Sequence, residues 1–321
     1  MLRVHMRLPP LLLSLALCAL PVRAAEDFLP GVTRIVFLGD SITYSGQYVD
    51  TFEAFLFTQF PKRGFEVVDC GLPSETVSGL SEIGHAGGKF PRPDLHERLD
   101  RVLAKMKPQL IFACYGMNDG IYKPYDDLRA LRYQEGLRKL REKARAAGAE
   151  VIHLTPPVFD PVPISGRVAP AGQESASAPY EGYDEVLTRY SAWLLEQRAA
   201  GWRVIDLHTP MQAAIRAGRE RDPGFTFARD GVHADAAGHA LIAATLLAAL
   251  DPARAEKFRA TPVAPDLLAL IRRRGRLLAD AWLKHTGHLR PGTAERALPL
   301  AEAQTQAAGL EGQIRDRIAA P

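Results

Sequence analysis

The stretch Arg34 to Tyr44, RIVFLGDSITY, constrains the fold of this chain more than any other. Ile35, Val36, Phe37 and Leu38 form an unbroken apolar run of strand formers, the pattern of a parallel strand covered on both faces. Gly39 breaks the run, Asp40 and Ser41 stand at its end, and from Ile42 onward Val49, Phe52, Phe55 and Leu56 suit a helix. A polar pair at the carboxyl end of a buried parallel strand is where open α/β sheets place ligands and chemistry. Gly-Asp-Ser is also an ordinary turn with a helix N-cap, so what Ser41 does has to be judged from the rest of the chain.

That rest alternates strand with helix. Phe65–Asp69, Gln109–Cys114, Val151–Leu154 and Arg203–Asp206 are predicted strands, and Pro93–Met106, Asp127–Ala147 and Asp235–Leu250 predicted helices. On Asp127–Ala147 the residues Tyr133, Leu137, Leu140, Ala144 and Ala147 share one face, Arg138, Lys139, Arg141, Lys143 and Arg145 take the solvated side, and Gly148 stands where a C-cap glycine belongs. Such alternation implies a parallel sheet with helices on both faces. Beyond Asp251 only helical patterns remain, one through Leu268, Ile271, Leu278 and Trp282 and one through Leu300, Ala303, Ala307, Leu310, Ile314 and Ile318. Residues 251–321 are therefore expected to form a helical extension packed on the core, its last helix alternatively a pairing surface. Arg272, Arg273, Arg274 and Arg276 are expected to be solvated. Residues 84–93, GHAGGKFPRP, are too rich in Gly and Pro for regular structure, and the long excursion after Thr155 is expected to be a mobile flap.

Arg3 and Arg7 precede the apolar run Leu11–Leu20, too short to span a bilayer, and Val22-Arg23-Ala24 offers a cleavage site. Residues 1–24 are predicted to be a signal peptide that exports the protein to the periplasm or beyond; Leu17 before Cys18 argues against a lipid anchor there. The formal net charge of +3 resides in this segment, which carries Arg3, Arg7 and Arg23 and no acid. A neutral mature chain gives no electrostatic reason to bind nucleic acid or an anionic membrane surface, and no membrane-integral segment is expected after cleavage.

Four loops end on one edge of the predicted sheet: Gly39-Asp40-Ser41, the loop at Gly79, Gly116 to Asp119, and Asp230 to His233. Acyl transfer by a serine needs a nucleophile, a base, a group that orients the base, and donors for the oxyanion. Ser41 is the candidate nucleophile, His233 the base and Asp230 its orienter; the Ser41 N–H, the Gly79 N–H and the Asn118 amide are the candidate oxyanion donors. Gly71 and Gly84 compete with Gly79. Asp40 and Asp119 are expected to accept loop N–H groups and hold their neighbours Ser41 and Asn118. His85 and Arg92 fit the pocket mouth or plain surface equally well.

With GDSI, a glycine in ETVSGL, GMND and DGVH in this order, the chain resembles the SGNH hydrolases, the GDSL-type esterases and lipases. GxSxG, the nucleophile elbow of α/β-hydrolases, is absent. The resemblance implies residues 25–250 as the hydrolase domain, a flavodoxin-like three-layer α/β sandwich with strand order 2-1-3-4-5, and serine hydrolysis without metal or cofactor. The layout, including HAGGKFPRP and AWLKHTGH, is similar to exported SGNH proteins of polysaccharide-degrading bacteria, which implies a short-acyl esterase acting on a small-molecule or polysaccharide ester. A lysophospholipase or thioesterase, or a carbohydrate-binding protein on the same fold, are the alternatives; a flavin module is disfavoured because Asp40 would repel phosphate. Oligomeric state is left open. In this strand order Cys70 and Cys114 stand roughly 9–10 Å apart, which predicts two buried free thiols. His85, His153, His208, His239, His285 and His288 fall in different elements without metal-site spacing. Trp193 and Trp202 are expected in the core.

Overall fold

The computed structural model describes residues 28–320 apart from 172, 174 and 176–177. The expected signal peptide, residues 1–24, lies outside the described residues. Five strands, β1 (Arg34–Gly39), β2 (Glu66–Asp69), β3 (Leu110–Cys114), β4 (Glu150–Leu154) and β5 (Arg203–Ile205), form one sheet in the order 2-1-3-4-5, all pairings parallel. Its helices are α1 (Ser41–Tyr44), α2 (Gln47–Gln59), α3 (Leu95–Met106), α4 (Asp127–Ala146), α5 (Tyr183–Glu196), α6 (His208–Arg219), α7 (Ala236–Leu250), α8 (Pro252–Ala260), α9 (Pro265–Thr286) and α10 (Leu300–Ala319).

β1 lies inside the sheet between β2 and β3, as its wholly apolar run requires. Ile35 through Leu38 are 0% exposed, and covering each such side chain is worth about 1.5–3 kcal/mol. Phe37 stacks on Phe112 of β3 at 4.7 Å, and Phe52 of α2 meets both rings edge-on at 5.3 Å. The strand leaves the sheet at Gly39, where a Cβ would lie 2.1 Å from Thr43 Oγ1 and 2.8 Å from the Cys114 carbonyl. The single helix expected from Ile42 onward is two. Gly46 takes φ +82° and ends α1 after one turn, its N–H donating to the Thr43 carbonyl at 2.9 Å.

Further along, the predicted elements recur with ends shifted by a few residues. Asp94 caps α3 by accepting from His96 N–H at 2.8 Å, so that helix begins after Pro93. Gly148 has φ +83° at the end of α4, as its C-cap reading requires. Cys70 and Cys114 are free and buried. Trp193 and Trp202 depart from expectation: both are half-buried, stacked beneath Arg138 at 5.1 Å and Arg141 at 5.1 Å, on the rim of the helical layer. The excursion after Thr155 is anchored where it is described. Pro156 to Asp160 are buried, Ala169 bridges Tyr180, and Tyr180 N–H donates to the Tyr122 carbonyl at 2.9 Å.

The C-terminal extension packs on the core through Leu267 and Ile271 of α9 and Ile314 of α10, which close over Ala54 and Phe57 of α2. α8 escaped the sequence reading although Asp251, accepting from Arg254 N–H at 3.0 Å, and Pro252 give it a clear start. The arginine run on α9 also corrects the expectation of a solvated cluster. Arg272 and Arg273 are exposed as expected, Arg272 with Asp50 at 3.4 Å, but Arg274 is 4% exposed and pairs with Glu53 and Glu311, and the half-buried Arg276 donates to the Tyr44 carbonyl at 2.8 Å. The helix buries Ile271, Arg274 and Leu278, three and four positions apart, and a run of identical residues hides which of its members falls on that face. No helix among the described residues is long and apolar enough to cross a membrane.

Replacing Arg274 by Ala leaves Glu53 buried and unpaired and is expected to cost on the order of 3 kcal/mol in urea unfolding. Arg273→Ala should stay within about 0.5 kcal/mol. Burial lifts Asp40, Glu53 and Asp69 to about 7, whereas unfolded carboxyls titrate near 4. The native state therefore binds protons more tightly between those values, so their contribution is fully present below about pH 4 and is lost as pH rises through about 7. The melting temperature should be higher at about pH 5.5 than at about pH 8. A value that climbs with pH across this window would contradict the assignment.

Candidate active site

Four loops meet at the carboxyl edge of β1 and β3. The first is the Gly39 turn. Asp40 caps α1, its Oδ1 accepting from Ile42 N–H at 2.9 Å. Ser41 is the first residue of that helix, so its own N–H has no intrahelical acceptor. Burial drives the Asp40 carboxyl up to about 7, against the opposing pull of the Ile42 N–H and of His233. Asp40 thus does the capping expected of it.

The loops holding Gly79 and Asn118 are tied to one another. Asp119 Oδ1 accepts from the N–H groups of Val77 and Ser78, both at 2.8 Å. Desolvation lifts this buried carboxyl to about 6, although the same N–H groups lower it. Gly79 follows at φ +70°, where a Cβ would approach the Asp94 carboxylate to 3.1 Å, and its N–H has no protein acceptor among the described residues. Its two competitors have other surroundings. A Cβ on Gly71 would sit 2.3 Å from Tyr44 N, and one on Gly84 would meet nothing within 4 Å.

Asn118 is buried with both ends of its amide engaged. Oδ1 accepts from Arg92 Nη1 at 2.8 Å and from the Tyr122 hydroxyl at 3.2 Å, while Nδ2 donates one hydrogen to the Glu75 carbonyl at 3.2 Å. Two donors on one atom fix which end is the oxygen, and the second Nδ2 hydrogen stays uncommitted. Glu75 is itself buried in an ion pair with Arg98 and accepts the Tyr115 hydroxyl at 2.7 Å, so the floor under Asn118 is rigid.

The fourth loop carries Asp230 and His233. Asp160, from the excursion after β4, holds it: Asp160 N–H donates to the Gly231 carbonyl at 2.8 Å, and its carboxylate accepts from Arg219 at 2.6 Å and Thr226 at 2.5 Å. Gly231 has φ +82°, and a Cβ there would lie 2.8 Å from the Asp160 carbonyl. Asp230 Oδ1 accepts from Val232 N–H at 3.0 Å and His233 N–H at 2.8 Å, and Oδ2 takes His233 Nδ1 at 2.6 Å. Desolvation alone would raise Asp230, but these hydrogen bonds outweigh it and leave the carboxyl below its ordinary range. An ionised carboxylate only accepts, so Nδ1 carries the ring proton and Nε2 offers its lone pair to Ser41 Oγ, 2.8 Å away. The run Asp230–His233–Ser41 can move a proton off the serine hydroxyl and stabilise the imidazolium that results.

All five sequence candidates lie on these loops: Ser41, His233 and Asp230 in one hydrogen-bonded line, Asn118 and Gly79 on the two loops that Asp119 joins. The sequence did not single out Tyr122 and Asp160, and it left Arg92 undecided between pocket mouth and plain surface. Arg92 is 8% exposed. Its position at the end of a Gly/Pro-rich loop, next to an acid-bearing segment, was the available signal. Three of the other histidines named in the sequence have surroundings unrelated to this line. His239 Nε2 lies 2.8 Å from Ser45 Oγ, His208 Nε2 2.9 Å from Thr188 Oγ1, and His153 stacks on Trp202 at 4.7 Å, pushed down to about 3 by burial. Among the described residues no three His, Cys, Asp or Glu side chains gather as a metal site.

Several solved structures share the fold. A gut microbial diltiazem-metabolizing enzyme superposes with a TM-score of 0.55 and 21% identity over 70% of this chain, which spans only 49% of that one. A variant of an acetyl-xylooligosaccharide esterase from Geobacillus has a TM-score of 0.50 and 20% identity, with 68% of this chain and 94% of that chain covered. A catalytic mutant of an acetylxylan esterase from Geobacillus stearothermophilus gives 0.50 and 19% over the same shares. No curated protein matches the sequence. Residues 37–241, which begin in β1 and end in α7 and so include all four loops, match the GDSL-like lipase/acylhydrolase family, and the chain belongs to that family as a serine hydrolase of ester bonds.

Proposed function

We propose that the chain is an exported esterase that removes acetyl or another short acyl group from carbohydrate hydroxyls. The observation that carries this reading is the hydrogen-bonded line Asp230–His233–Ser41 standing open at the sheet edge, with the Asp230 and His233 side chains each 52% exposed. A base this accessible leaves room on its side for a bulky alcohol, such as one sugar of a chain. Asn118, buried and polar on the loop after β3, suits a small acyl group better than a long alkyl chain. The fold shared with an acetyl-xylooligosaccharide esterase agrees with this substrate class, and export rests on the sequence of residues 1–24.

The chemistry proceeds from the positions of the atoms. Ser41 Oγ attacks the acyl carbon as its proton passes to His233 Nε2, and Asp230 stabilises the imidazolium through Nδ1. The carbonyl oxygen, now an oxyanion, is met by the Ser41 N–H, the Gly79 N–H and the free hydrogen of Asn118 Nδ2. His233 then gives its proton to the departing sugar oxygen. Water, activated by the same imidazole, releases the acid and restores Ser41.

With p-nitrophenyl esters from acetate to palmitate, turnover should fall steeply with chain length and vanish in Ser41→Ala. Asn118→Ala should lower kcat on the order of a hundredfold. Preference for long chains would move the reading to a lysophospholipase or thioesterase, and turnover that survives Ser41→Ala would remove the acyl-serine step. Release of acetate from acetylated xylan tests the carbohydrate half.

A further inference from the structure

The loop between Leu80 and Pro93 has no part in the Asp230–His233–Ser41 line, yet it delivers a buried cation directly onto Asn118. The Arg92 side chain is 6% exposed. Its Nε and Nη2 donate to the two oxygens of Glu82 at 2.6 and 2.7 Å, and Nη1 donates to Asn118 Oδ1 at 2.8 Å. The guanidinium lies over the Tyr122 ring at 5.3 Å, and that residue's hydroxyl gives Oδ1 its second bond. The loop is held in turn. Arg92 N–H donates to Ser81 Oγ at 2.9 Å, and His85 Nδ1 stands 3.2 Å from Glu82 Oε1. The His85 ring packs edge-on against Phe90 at 5.4 Å, and Arg290, from the segment after α9, covers Phe90 at 5.4 Å while donating to the Pro73 carbonyl at 2.9 Å.

We propose that Arg92, locked by Glu82, is the positioning residue of the oxyanion site: it fixes the Asn118 amide and strengthens it as a donor. This rests on the reading of Asn118 as an oxyanion donor. A cation bonded to an amide oxygen draws electron density from the nitrogen and makes the N–H a better donor, and charge-assisted bonds of this kind are about twice as strong as neutral ones. Two donors on Oδ1 also forbid the flipped amide, which would turn an oxygen toward the developing oxyanion. The fork of Glu82 takes the remaining edge of the guanidinium, so Nη1 is left for Asn118. It also neutralises most of the direct field of the cation, which means Arg92 acts through the amide. The GHAGGKFPRP stretch is on this account the scaffold of the oxyanion site.

The test is a mutant cycle in the full chain, read as kcat and KM for p-nitrophenyl acetate. Arg92→Met should lower kcat on the order of tenfold while KM moves less than about twofold, and Arg92→Lys should recover part of the loss. In an Asn118→Ala background Arg92→Met should cost nothing more. A loss that multiplies on top of Asn118→Ala, or a raised KM at constant kcat, would overturn the proposal in favour of a structural or substrate-contacting role. If Asn118→Ala is costly and Arg92→Met is not, this inference alone falls; if Asn118→Ala is silent, the oxyanion reading itself falls. Should Arg92→Met fail to fold, Glu82→Gln keeps the arginine, frees its fork and enters the same cycle with the same expectations.

Discussion

Strand β1 has no solvent face, and the position of every reactive group follows from that. With Ile35 to Leu38 enclosed between α2 and its partner layer, the chain meets water again only where the strand stops. Gly39 makes the stop abrupt, because Thr43 Oγ1 and the Cys114 carbonyl occupy the space a side chain would need. Asp40 then has one task its geometry permits, to cap α1, and Ser41 is left with a free N–H and a hydroxyl facing outward. The same packing that stabilises the sheet therefore presents the nucleophile on a turn too short to move independently of β1.

The loops around Ser41 are held by buried carboxylates rather than by regular structure. Asp119 joins the Asn118 loop to the Gly79 loop, Asp160 clamps the loop of Asp230 and His233, and Glu75 with Arg98 sets the floor under Asn118. Each is a charged acceptor that gathers N–H or guanidinium donors from segments distant in sequence. Such groups cost desolvation energy that an apolar contact would not. An apolar contact could not fix the direction of a neighbouring amide or imidazole. Directional control at the sheet edge is obtained here at the expense of some stability at neutral pH, where Asp40 and Asp119 sit near their raised titration points.

The fold was legible because its signal is periodic: apolar runs for the strands, spacings of three and four for α4, and glycines at turns. The triad was legible because Asp230 and His233 share one tight loop and Ser41 ends the most apolar strand. What escaped the sequence depends on tertiary contacts that no periodic pattern announces. Arg92 and Tyr122 converge on Asn118 Oδ1 from two loops, and nothing local distinguishes Arg92 from a surface arginine. Arg274 and Arg273 are adjacent and chemically identical, yet one faces Glu53 and the other water, a difference set by the rotation of α9 on α2. The break at Gly46 was hidden because both helices it separates bury apolar residues on one face.

The residues after Asp251 are an extension in sequence but not in packing. Residues Gly31–Pro321 form one compact unit. α9 lies against α2, α3 and β2, with Arg101 Nε donating to the Thr286 carbonyl at 2.8 Å and Lys105 Nζ to the His285 carbonyl at 2.6 Å. Two contacts of the segment beyond Asp251 reach elements of the site. Arg276 donates to the Tyr44 carbonyl at the end of α1 and covers the Tyr44 ring at 3.9 Å, and Arg290 braces Phe90 in the loop that carries Arg92. The turn with Ser41 and the loop behind Asn118 are thus each backed by an arginine from beyond the family-matched region. A loop as rich in glycine as 84–88 loses much backbone freedom on ordering. The C-terminal segment supplies contacts that oppose this loss, with Arg290 packed over Phe90 in that loop and bonded to the Pro73 carbonyl before it.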